Sequence, residues 1–344
     1  MIELEEAQEF VFGQCLKLSA DEVEISKSRG LVLAKTVISN DDIPPFPNTA
    51  MDGYAVRAVD TELAPVELNV IGTLPAGKVP DFKVGPGQAV RIMTGAVIPE
   101  GADSVVMVEK TREVETGDSV IVEESVKSGN FIRQPGEDFV KGSELFTPDT
   151  LIGAAHIGVF ATIGLEKVTV FKRPIVGVMS TGDELVQGAS QLKPGQIRDS
   201  NRHSIKALLD EMGVEVIDLG LIPDDEKEIE SALFSGVEKC DAIVTSGGVS
   251  MGDFDYVKVV LDRLGEMKWM QVAIKPAKPL AFGLLNDVPI FGLPGNPVSA
   301  MVSFELFMRP ALRKMMGYQQ IWRPHLKAKA ASSLKRRKDG KVHF

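Results

Sequence analysis

Residues 174–184 read PIVGVMSTGDE, and this stretch decides the fold of the second half of the chain. Its apolar run, Ile175–Met179, is typical of a strand that is buried on both faces of a sheet. The sequence then turns polar at once, with Gly182 at the point where the backbone must turn and with Asp183 and Glu184 directly behind it. The stretch therefore predicts a buried strand that ends in a loop carrying two carboxylates.

Downstream of this strand, further apolar runs alternate with segments of helical spacing. We predict strands at 214–219 and 242–245 and a hairpin at 280–293. We predict helices at 201–212, 225–238, 255–264 and 297–316, the first capped by Ser200 or Asn201. This alternation indicates an α/β fold, a parallel sheet with helices on both faces, and ligands bind such sheets beyond the carboxyl ends of the strands.

The rest of the chain divides by its texture. Residues 41–146 are rich in valine, glycine and turn dipeptides, which predicts a β-rich domain. Residues 1–40 and 147–172 flank it and predict a linker domain of helix and strand. The α/β domain then spans 173–318, and 319–344 is expected to be the start of a C-terminal β domain that is incomplete.

Composition excludes several classes of function. The net charge is −10, from 38 Lys and Arg against 48 Asp and Glu, which argues against a nucleic-acid partner. Cys15 and Cys240 form no CxxC pair, and the four histidines show no HExxH spacing. The acidic N-terminus does not resemble a signal peptide, and no apolar run approaches the roughly 18 residues of a membrane span. We expect a soluble, cytoplasmic protein with no membrane partner.

Carboxylates follow three of the predicted strands or begin the helices after them. Asp183 and Glu184 suit a hard cation such as Mg²⁺, with a helix cap and a solvated side chain as the alternative. Asp224 and Asp255 precede predicted helices, so each is a candidate cap and also a candidate Mg²⁺ ligand. Spacing alone does not choose between these readings.

A glycine-rich loop follows the strand at 242–245. Its paired glycines and flanking hydroxyls suit close backbone approach to a phosphate or a flat ring, and a plain connection is the alternative. The substrate-binding candidates in this loop are Ser246, Gly247, Gly248 and Ser250.

Two lysines and a helix start form the best candidate for an anion pocket. Lys275 and Lys278 lie in KPAKP, where flanking prolines, Pro279 among them, stiffen the backbone and reduce the entropy lost on binding an anion. Asn296 is the predicted N-cap of the last helix, whose free N–H groups favour anions. Because the whole chain is acidic, an anionic substrate must be held by such a local pocket.

The motifs that carry these candidates stand in one order along the chain: PPF (44–46), AMDGYAV (50–56), MTGA (93–96), GED (136–138), STGDEL (180–185), SGGVS (246–250), KPAKP (275–279) and LPGNPVS (293–299). In kind and order they resemble the molybdopterin molybdenumtransferase family, the MoeA proteins and the gephyrin E domain. The resemblance implies insertion of molybdate into adenylylated molybdopterin in a Mg²⁺-dependent step that releases AMP. It also implies a homodimer of elongated four-domain subunits, and the adenylyltransferase that makes the substrate as a possible further partner.

The resemblance also assigns roles to particular residues. The strand-end carboxylates that would hold Mg²⁺ or position the nucleotide phosphate are Glu184, Asp224 and Asp255. The residues that match the molybdate pocket are Lys275, Lys278 and Ser299. The functional positions of the β-rich domain, which would pack over the partner subunit's active site, are Asp52, Thr94 and Asp138; without the resemblance, Asp52 belongs to an ordinary Asp-Gly turn.

Ala277 departs from the family, which often has glycine in this motif, and we expect a negative φ there because alanine disfavours the left-handed region. Two alternative functions remain open. A molybdopterin adenylyltransferase would share the α/β domain, but the β-rich segment 41–146 argues against it. A non-catalytic scaffold like gephyrin would not need the carboxylates and lysines of the proposed site.

Overall fold

The fold is described from a computed structural model, which describes residues 1–115, 117–189, 191–248, 256–333 and 339–344. The chain divides into two compact units. The α/β unit comprises residues 1–35, 148–154 and 167–344, and the β-rich unit comprises residues 36–147 and 155–166. The described helices include none with the length and apolar character needed to cross a membrane.

The α-helices of the described residues are α1 (Leu4–Gln14), α2 (Ala154–Thr162), α3 (Asn201–Glu211), α4 (Glu226–Val237), α5 (Tyr256–Leu264), α6 (Pro297–Ser303) and α7 (Arg309–Met315). The first strands are β1 (Ala20–Glu24), β2 (Val37–Ile38), β3 (Asn48–Thr49), β4 (Gly53–Val56), β5 (Val66–Leu74), β6 (Gln88–Ile92), β7 (Ser104–Met107), β8 (Thr111–Glu113), β9 (Ser119–Val122), β10 (Ile132–Arg133) and β11 (Glu144–Phe146). The later strands are β12 (Lys167–Phe171), β13 (Ile175–Thr181), β14 (Leu185–Val186), β15 (Ile197–Arg198), β16 (Glu215–Ile222), β17 (Ala242–Ser246), β18 (Glu266–Gln271), β19 (Ile274–Lys275), β20 (Pro279–Leu285), β21 (Val288–Leu293) and β22 (Val342–His343).

The central sheet of the α/β unit has the strand order β16-β13-β17-β21-β20-β18. The α/β class is confirmed, and β16, β13, β17 and β21 are parallel as predicted. The sheet as a whole is mixed and not parallel, because β20 runs antiparallel to both of its neighbours. The reversal comes from the two-residue turn Asn286-Asp287, where both residues have positive φ, at 50° and 64°. That geometry matches the twist of a tight hairpin. The hairpin was predicted, and its effect on the direction of β20 in the sheet was not.

Hydrophobic clusters lie on both faces of this sheet, because successive side chains of a strand point to opposite sides. On one face, Phe282 and Phe291 have ring centroids 5.0 Å apart and pack in the cluster that includes α1, α3 and the final helices. On the other face, Ile243 and Ile290 pack with α4 and α5. Packing on both faces holds the strands in place and so fixes the points at which the loops at the carboxyl edge begin.

The predicted helix 297–316 is one helical run with a wider turn inside it. Residues Phe304–Met308 form a π-helical segment between α6 and α7. Pro310 follows it, and a proline within a helix lacks an N–H and crowds the carbonyl four residues earlier, here that of Leu306. A π turn before the proline accommodates that crowding.

The β-rich unit contains a sheet in the order β7-β4-β6-β5-β9-β8, in which only the described pair β5 and β6 is parallel. Both faces of this sheet are covered, since Tyr54 and Ala55 are adjacent on β4 and belong to different hydrophobic clusters. The short pair β3 and β10 lies within the same unit. This pairing positions the loops that carry Asp52 and Asp138.

Candidate active site

A cavity of about 250 Å³ lies at the carboxyl ends of the parallel strands β13 and β17. This is the position at which α/β sheets bind ligands. It brings together Glu184, Ser246 and Gly247 of the predicted site. Its described lining is Ser180, Thr181, Glu184, Leu185, Ile197, Arg198, Asp199, Ser200, Asn201, Ser246, Gly247, Gly295 and Pro297.

Asn201 connects two loops of this cavity. Its side-chain amide donates to Ser246 Oγ at 2.7 Å and to the Gly295 carbonyl at 2.8 Å. Ser200 occupies the N-cap position of α3, as predicted, but its side chain makes no cap bond, and Asn201 is buried inside the first turn. Asp199 accepts the Arg202 backbone N–H at 3.2 Å in their place.

A charge network extends from the cavity wall, where Asp199 and Arg202 are buried, to the partly exposed Asp218 and Lys206. Asp199 accepts from Ser180 Oγ at 3.0 Å and from Arg202 Nε at 2.7 Å. Arg202 also binds both oxygens of Asp218, at 2.5 and 2.7 Å, and Lys206 reaches the same carboxylate at 2.6 Å. Burial tends to raise the pKa of Asp218, but the bonds from Lys206 and Arg202 outweigh it and hold that pKa below its ordinary value. The network fixes the wall, and sequence reasoning missed it because its members lie on separate elements.

Gly247 is required by a close backbone contact. Its φ is 93°, in the left-handed region that favours glycine, and its N–H donates to the Leu293 carbonyl at 3.2 Å. A Cβ at this position would lie 2.8 Å from the Thr181 carbonyl oxygen. Gly248 also has a positive φ, of 68°. The predicted site residues Ser250 and Asp255 lie outside the described residues.

Asp183 and Asp224 face each other beside the cavity. The Asp183 N–H donates to Asp224 Oδ2 at 3.3 Å, and the Asp224 N–H donates to Asp183 Oδ1 at 3.2 Å. Burial raises the pKa of Asp224, and the negative charges of Asp183 and Glu184 add to the effect. The cap of α4 is the neighbouring Asp225, whose side chain accepts from two backbone N–H groups. The capping interpretation of Asp224 was therefore wrong, and its carboxylate accepts from the Asp183 N–H instead of from the first turn of α4.

The carboxylate oxygens fit a hard cation in their chemistry. Mg²⁺ in proteins is usually held by one or two carboxylates together with waters and substrate phosphates. Among the described residues, no three acidic, histidine or cysteine side chains converge as a complete ligand set. The oxygen chemistry of Asp183 and Asp224 suits such an ion, but the described residues do not form a complete site, and Mg²⁺ binding here remains a prediction.

Lys275 and Lys278 reach the same edge of the sheet because β20 is reversed. Pro279 begins β20, and Ala281 of that strand is paired with Gly292, one residue before the end of β21. The start of β20 thus lies beside the end of β21. Both lysine side chains are exposed, and neither forms an ion pair with a described residue. They do not contribute to the lining of the cavity itself.

Ala277 lies between these lysines with φ 71° and is buried, so the expectation of a negative φ was wrong. The tight loop requires the left-handed conformation, which a non-glycine residue adopts at a cost of about 1–2 kcal/mol. The burial of the Ala277 methyl group in the main hydrophobic cluster offsets part of that cost.

Asn296 caps the last helix as predicted. Its side-chain oxygen accepts from the Ser299 N–H at 3.2 Å and stands 3.4 Å from Ser299 Oγ. Pro297 follows at the first helical position and lines the cavity. A role of Asn296 and Ser299 in substrate binding remains a prediction.

The predicted residues of the β-rich unit form two separate contacts. Asp52 accepts from the Thr94 N–H at 2.6 Å and from Thr94 Oγ1 at 2.7 Å. These two bonds, the backbone one foremost, hold the pKa of Asp52 below its ordinary value. Asp138 pairs instead with Arg133 at 2.6 Å. Asp52 and Thr94 therefore act as one group, and Asp138 belongs to a second.

Loops at the carboxyl edge of a mixed sheet, with a cavity among them, are the arrangement by which α/β proteins bind small ligands. Residues 2–164 match the family described as the MoeA N-terminal region (domain I and II), and residues 177–314 match the family described as a probable molybdopterin binding domain.

Relatives extend the match over nearly the whole chain. The molybdopterin molybdenumtransferase of Haemophilus influenzae is 39% identical over 98% of this chain and 83% of its own length. That of Nostoc sp. is 39% identical over 88% of this chain and 71% of its own. The solved structure of the molybdopterin biosynthesis MoeA protein from Pyrococcus horikoshii has a TM-score of 0.79 and 32% identity, and the match covers 93% of this chain and 81% of that one. The chain belongs to the molybdopterin molybdenumtransferase family and is a transferase of molybdenum cofactor biosynthesis.

Proposed function

We propose that this chain catalyses the Mg²⁺-dependent insertion of molybdate into adenylylated molybdopterin, with release of AMP. The observation that carries the proposal is a convergence at one sheet edge. The facing carboxylates Asp183 and Asp224 follow β13 and β16, and the glycine loop at Gly247 follows β17. Lys275 and Lys278 precede β20, whose start lies beside the end of β21, so all these groups lie at one edge of the sheet. The test is AMP release in the presence and absence of molybdate.

The glycine loop suits the pterin or the nucleotide phosphate. Gly247 and Gly295 both line the cavity and carry no side chain, so the main chain of the two loops is accessible to a flat or anionic group. Asn201 holds both loops at a fixed separation through its bonds to Ser246 and Gly295. A pre-organised wall reduces the entropy lost when substrate binds.

The carboxylates suit Mg²⁺, which supplies electrostatic stabilisation of the phosphate that leaves with AMP. Asp224, with Asp183 and Glu184 close to it, would hold the ion. The raised pKa of Asp224 reflects burial and crowded negative charge, both of which a divalent cation relieves.

Lys275 and Lys278 suit molybdate, a tetrahedral dianion. Two ammonium groups three residues apart on a loop with fixed backbone angles present their charges at a defined spacing. Neither has a described acidic partner that an anion would have to displace. Their position supports a molybdate site at the carboxyl edge, beside the end of β21 and three strands along the sheet from the carboxylates that follow β13.

We expect Lys278→Ala to weaken molybdate binding by about ten- to hundredfold, because one charge-assisted contact contributes roughly 1.5–3 kcal/mol. The fold should persist, since the exposed ammonium has no described partner. The measurement is the molybdate concentration required for half-maximal AMP release. Lys268→Ala is the control: Lys268 lies on β18 of the same unit and packs over the Phe10 ring. An unchanged molybdate requirement in Lys278→Ala would show that Lys278 does not bind molybdate.

We further propose a homodimer, as the family resemblance implies for a site shared with the partner's β-rich domain. Asp52 and Thr94 form a tight pair in the β-rich unit, while the cavity belongs to the α/β unit. Light scattering should give a mass of about twice 37.2 kDa at micromolar concentration. A mass of one chain under those conditions would remove the shared-site argument.

The adenylyltransferase alternative has less support. The relatives match the β-rich unit as well as the α/β unit, since the first matched family covers residues 2–164. Consumption of ATP without any need for molybdate would favour that alternative, and binding of a peptide without AMP release would favour a scaffold.

A further inference from the structure

A second cavity, of about 170 Å³, lies at the other end of α3, where Glu211 ends the helix. Asn201 at the first residue of α3 lines the candidate active site. Because a helix rises about 1.5 Å per residue, the two ends of this 11-residue helix are roughly 16 Å apart. The second cavity is therefore separate from the candidate active site.

Three guanidinium groups line the second cavity, from Arg309, Arg313 and Arg323. Its remaining walls are largely apolar, with Phe304 and Met316 among them. Apolar walls lower the local dielectric and strengthen the interaction of the guanidinium groups with any charge that enters. In a chain of net charge −10, this is a concentrated patch of positive charge.

The described contacts leave many of these donors unused. Arg313 donates through Nε and Nη2 to the Gln320 carbonyl at 3.1 and 2.8 Å, and Arg309 Nη1 donates to the Ile321 carbonyl at 3.4 Å. A guanidinium has five N–H donors in a fixed planar fork. Within the described residues, Nη2 of Arg309 and Nη1 of Arg313 accordingly have no hydrogen-bond partner.

Neighbouring acids compensate the positive charge only in part. Glu305 binds Arg323 through both carboxylate oxygens, at 2.8 and 2.6 Å, and lies 3.9 Å from Arg309. Glu211 is the acidic residue in the described lining. Three positive groups thus face two negative ones, which leaves an excess of one positive charge.

The excess positive charge affects the pKa values of two of the three arginines, whereas the bonds to Glu305 raise the pKa of Arg323. Burial lowers the pKa of Arg309, and the positive charge of Arg323 lowers it further. Burial likewise lowers the pKa of Arg313, with Arg323 again contributing. Guanidinium groups stay charged under all ordinary conditions. The mutual repulsion of the guanidinium groups therefore persists in the folded protein, and a bound anion would reduce it.

We propose that this cavity binds a small tetrahedral oxyanion of the phosphate class. The cavity volume of about 170 Å³ and its three guanidinium groups suit a single compact group of this kind. Arginine forks bind such oxygens in pairs, with good geometry. The class includes inorganic phosphate and molybdate itself, and titration of each distinguishes them.

Isothermal titration with inorganic phosphate, at an ionic strength held constant with chloride, tests the site in the full chain. We expect saturable binding that Arg309→Gln weakens by tenfold or more. Glu211→Gln should tighten binding several-fold, because it removes a negative charge from the lining without removing any described hydrogen bond. Lys278→Ala should leave phosphate binding at this cavity unchanged. A parallel titration with molybdate in the Lys278→Ala background shows whether the cavity prefers phosphate or molybdate.

If the cavity binds phosphate through charge, Glu211→Gln should raise the affinity for phosphate and Arg309→Gln should lower it. If Arg309→Gln does not fold, the gain in affinity expected for Glu211→Gln still decides the matter. Absence of saturable binding, equal affinities in wild type and Glu211→Gln, or loss of phosphate binding in Lys278→Ala alone would overturn the proposal. None of these outcomes depends on AMP release, so the result is separable from that of the proposed reaction.

Discussion

We expect the Gly247→Ala variant to release AMP at least about a hundredfold more slowly than the wild type, because a displacement of about 1 Å at a reacting site reduces the rate by about that factor. The added Cβ would lie 2.8 Å from the Thr181 carbonyl oxygen. Because that oxygen belongs to the main chain, the contact can be relieved only by a shift of the backbone at Gly247 or at Thr181. The backbone at φ 93° would add strain of about 1–2 kcal/mol. Steady-state AMP release and a thermal melt, measured on the same preparation, check both effects.

Gly220→Ala is the matched control for that variant. Gly220 has a φ of 96°, close to that of Gly247, but a Cβ there would meet no heavy atom within 4 Å, and the residue does not line the cavity. It should therefore show the backbone strain alone, as a lower melting temperature with near-normal turnover. Equal turnover in the two variants would show that the close contact at Gly247 has no part in the reaction.

Asp224→Asn should also abolish most of the activity, by more than about a hundredfold, because a carboxylate that holds Mg²⁺ contributes several kcal/mol of charge stabilisation. Stability should hold or rise, since the change removes a half-buried charge crowded by Asp183 and Glu184. Because the pKa of Asp224 is raised in the folded state, the protonated carboxyl group stabilises the fold. That stabilisation is lost as the pH rises through the folded-state pKa. The stability gain of Asp224→Asn should thus be largest near neutral pH and shrink in acid, as the wild-type carboxyl takes up its proton.

A substitution of the neighbouring Asp225 should have the opposite effect, a loss of stability with no loss of turnover. It caps α4 by accepting from the Lys227 and Glu228 N–H groups. Asp225→Ala should lose about 1 kcal/mol of stability and keep its turnover. AMP release and the melting temperature of both variants, measured together, distinguish capping from metal binding. Wild-type turnover in Asp224→Asn, or loss of turnover in Asp225→Ala without unfolding, would contradict these assignments.

The sequence predicted those features that depend on local pattern. The buried strand at 175–179, the hairpin near 280–293 and the Asn296 cap follow from apolar runs, turn residues and capping residues that lie within a few positions of one another. The sequence predicted close backbone approach to a phosphate or a flat ring at Gly247, which stays a prediction, whereas the close contact that the structure shows is with the Thr181 carbonyl.

Features that depend on distant partners were missed. Asn201 resembles a cap from its neighbours, but it binds Ser246 and Gly295, which are 45 and 94 positions away. Two adjacent aspartates precede α4, and only the backbone decides that Asp225 caps the helix while Asp224 faces Asp183. The direction of β20 depends on long-range strand pairing, and that direction carries the lysines to the carboxyl edge.

The arginine-lined cavity at the end of α3 gave no signal in the sequence. Arg309 and Arg313 occur at helical spacing with no motif around them, and Arg323 joins them only because the segment after α7 folds back. Such a cluster becomes visible only when packing is known.

The central claim is that this chain couples molybdate insertion to the release of AMP. The most direct measurement is AMP release from adenylylated molybdopterin by the wild-type chain, with molybdate and Mg²⁺ each present or absent. We expect AMP only when both are present, and little or none from Asp224→Asn under the same conditions. AMP released at the same rate without molybdate, or no AMP with both present, would contradict the account.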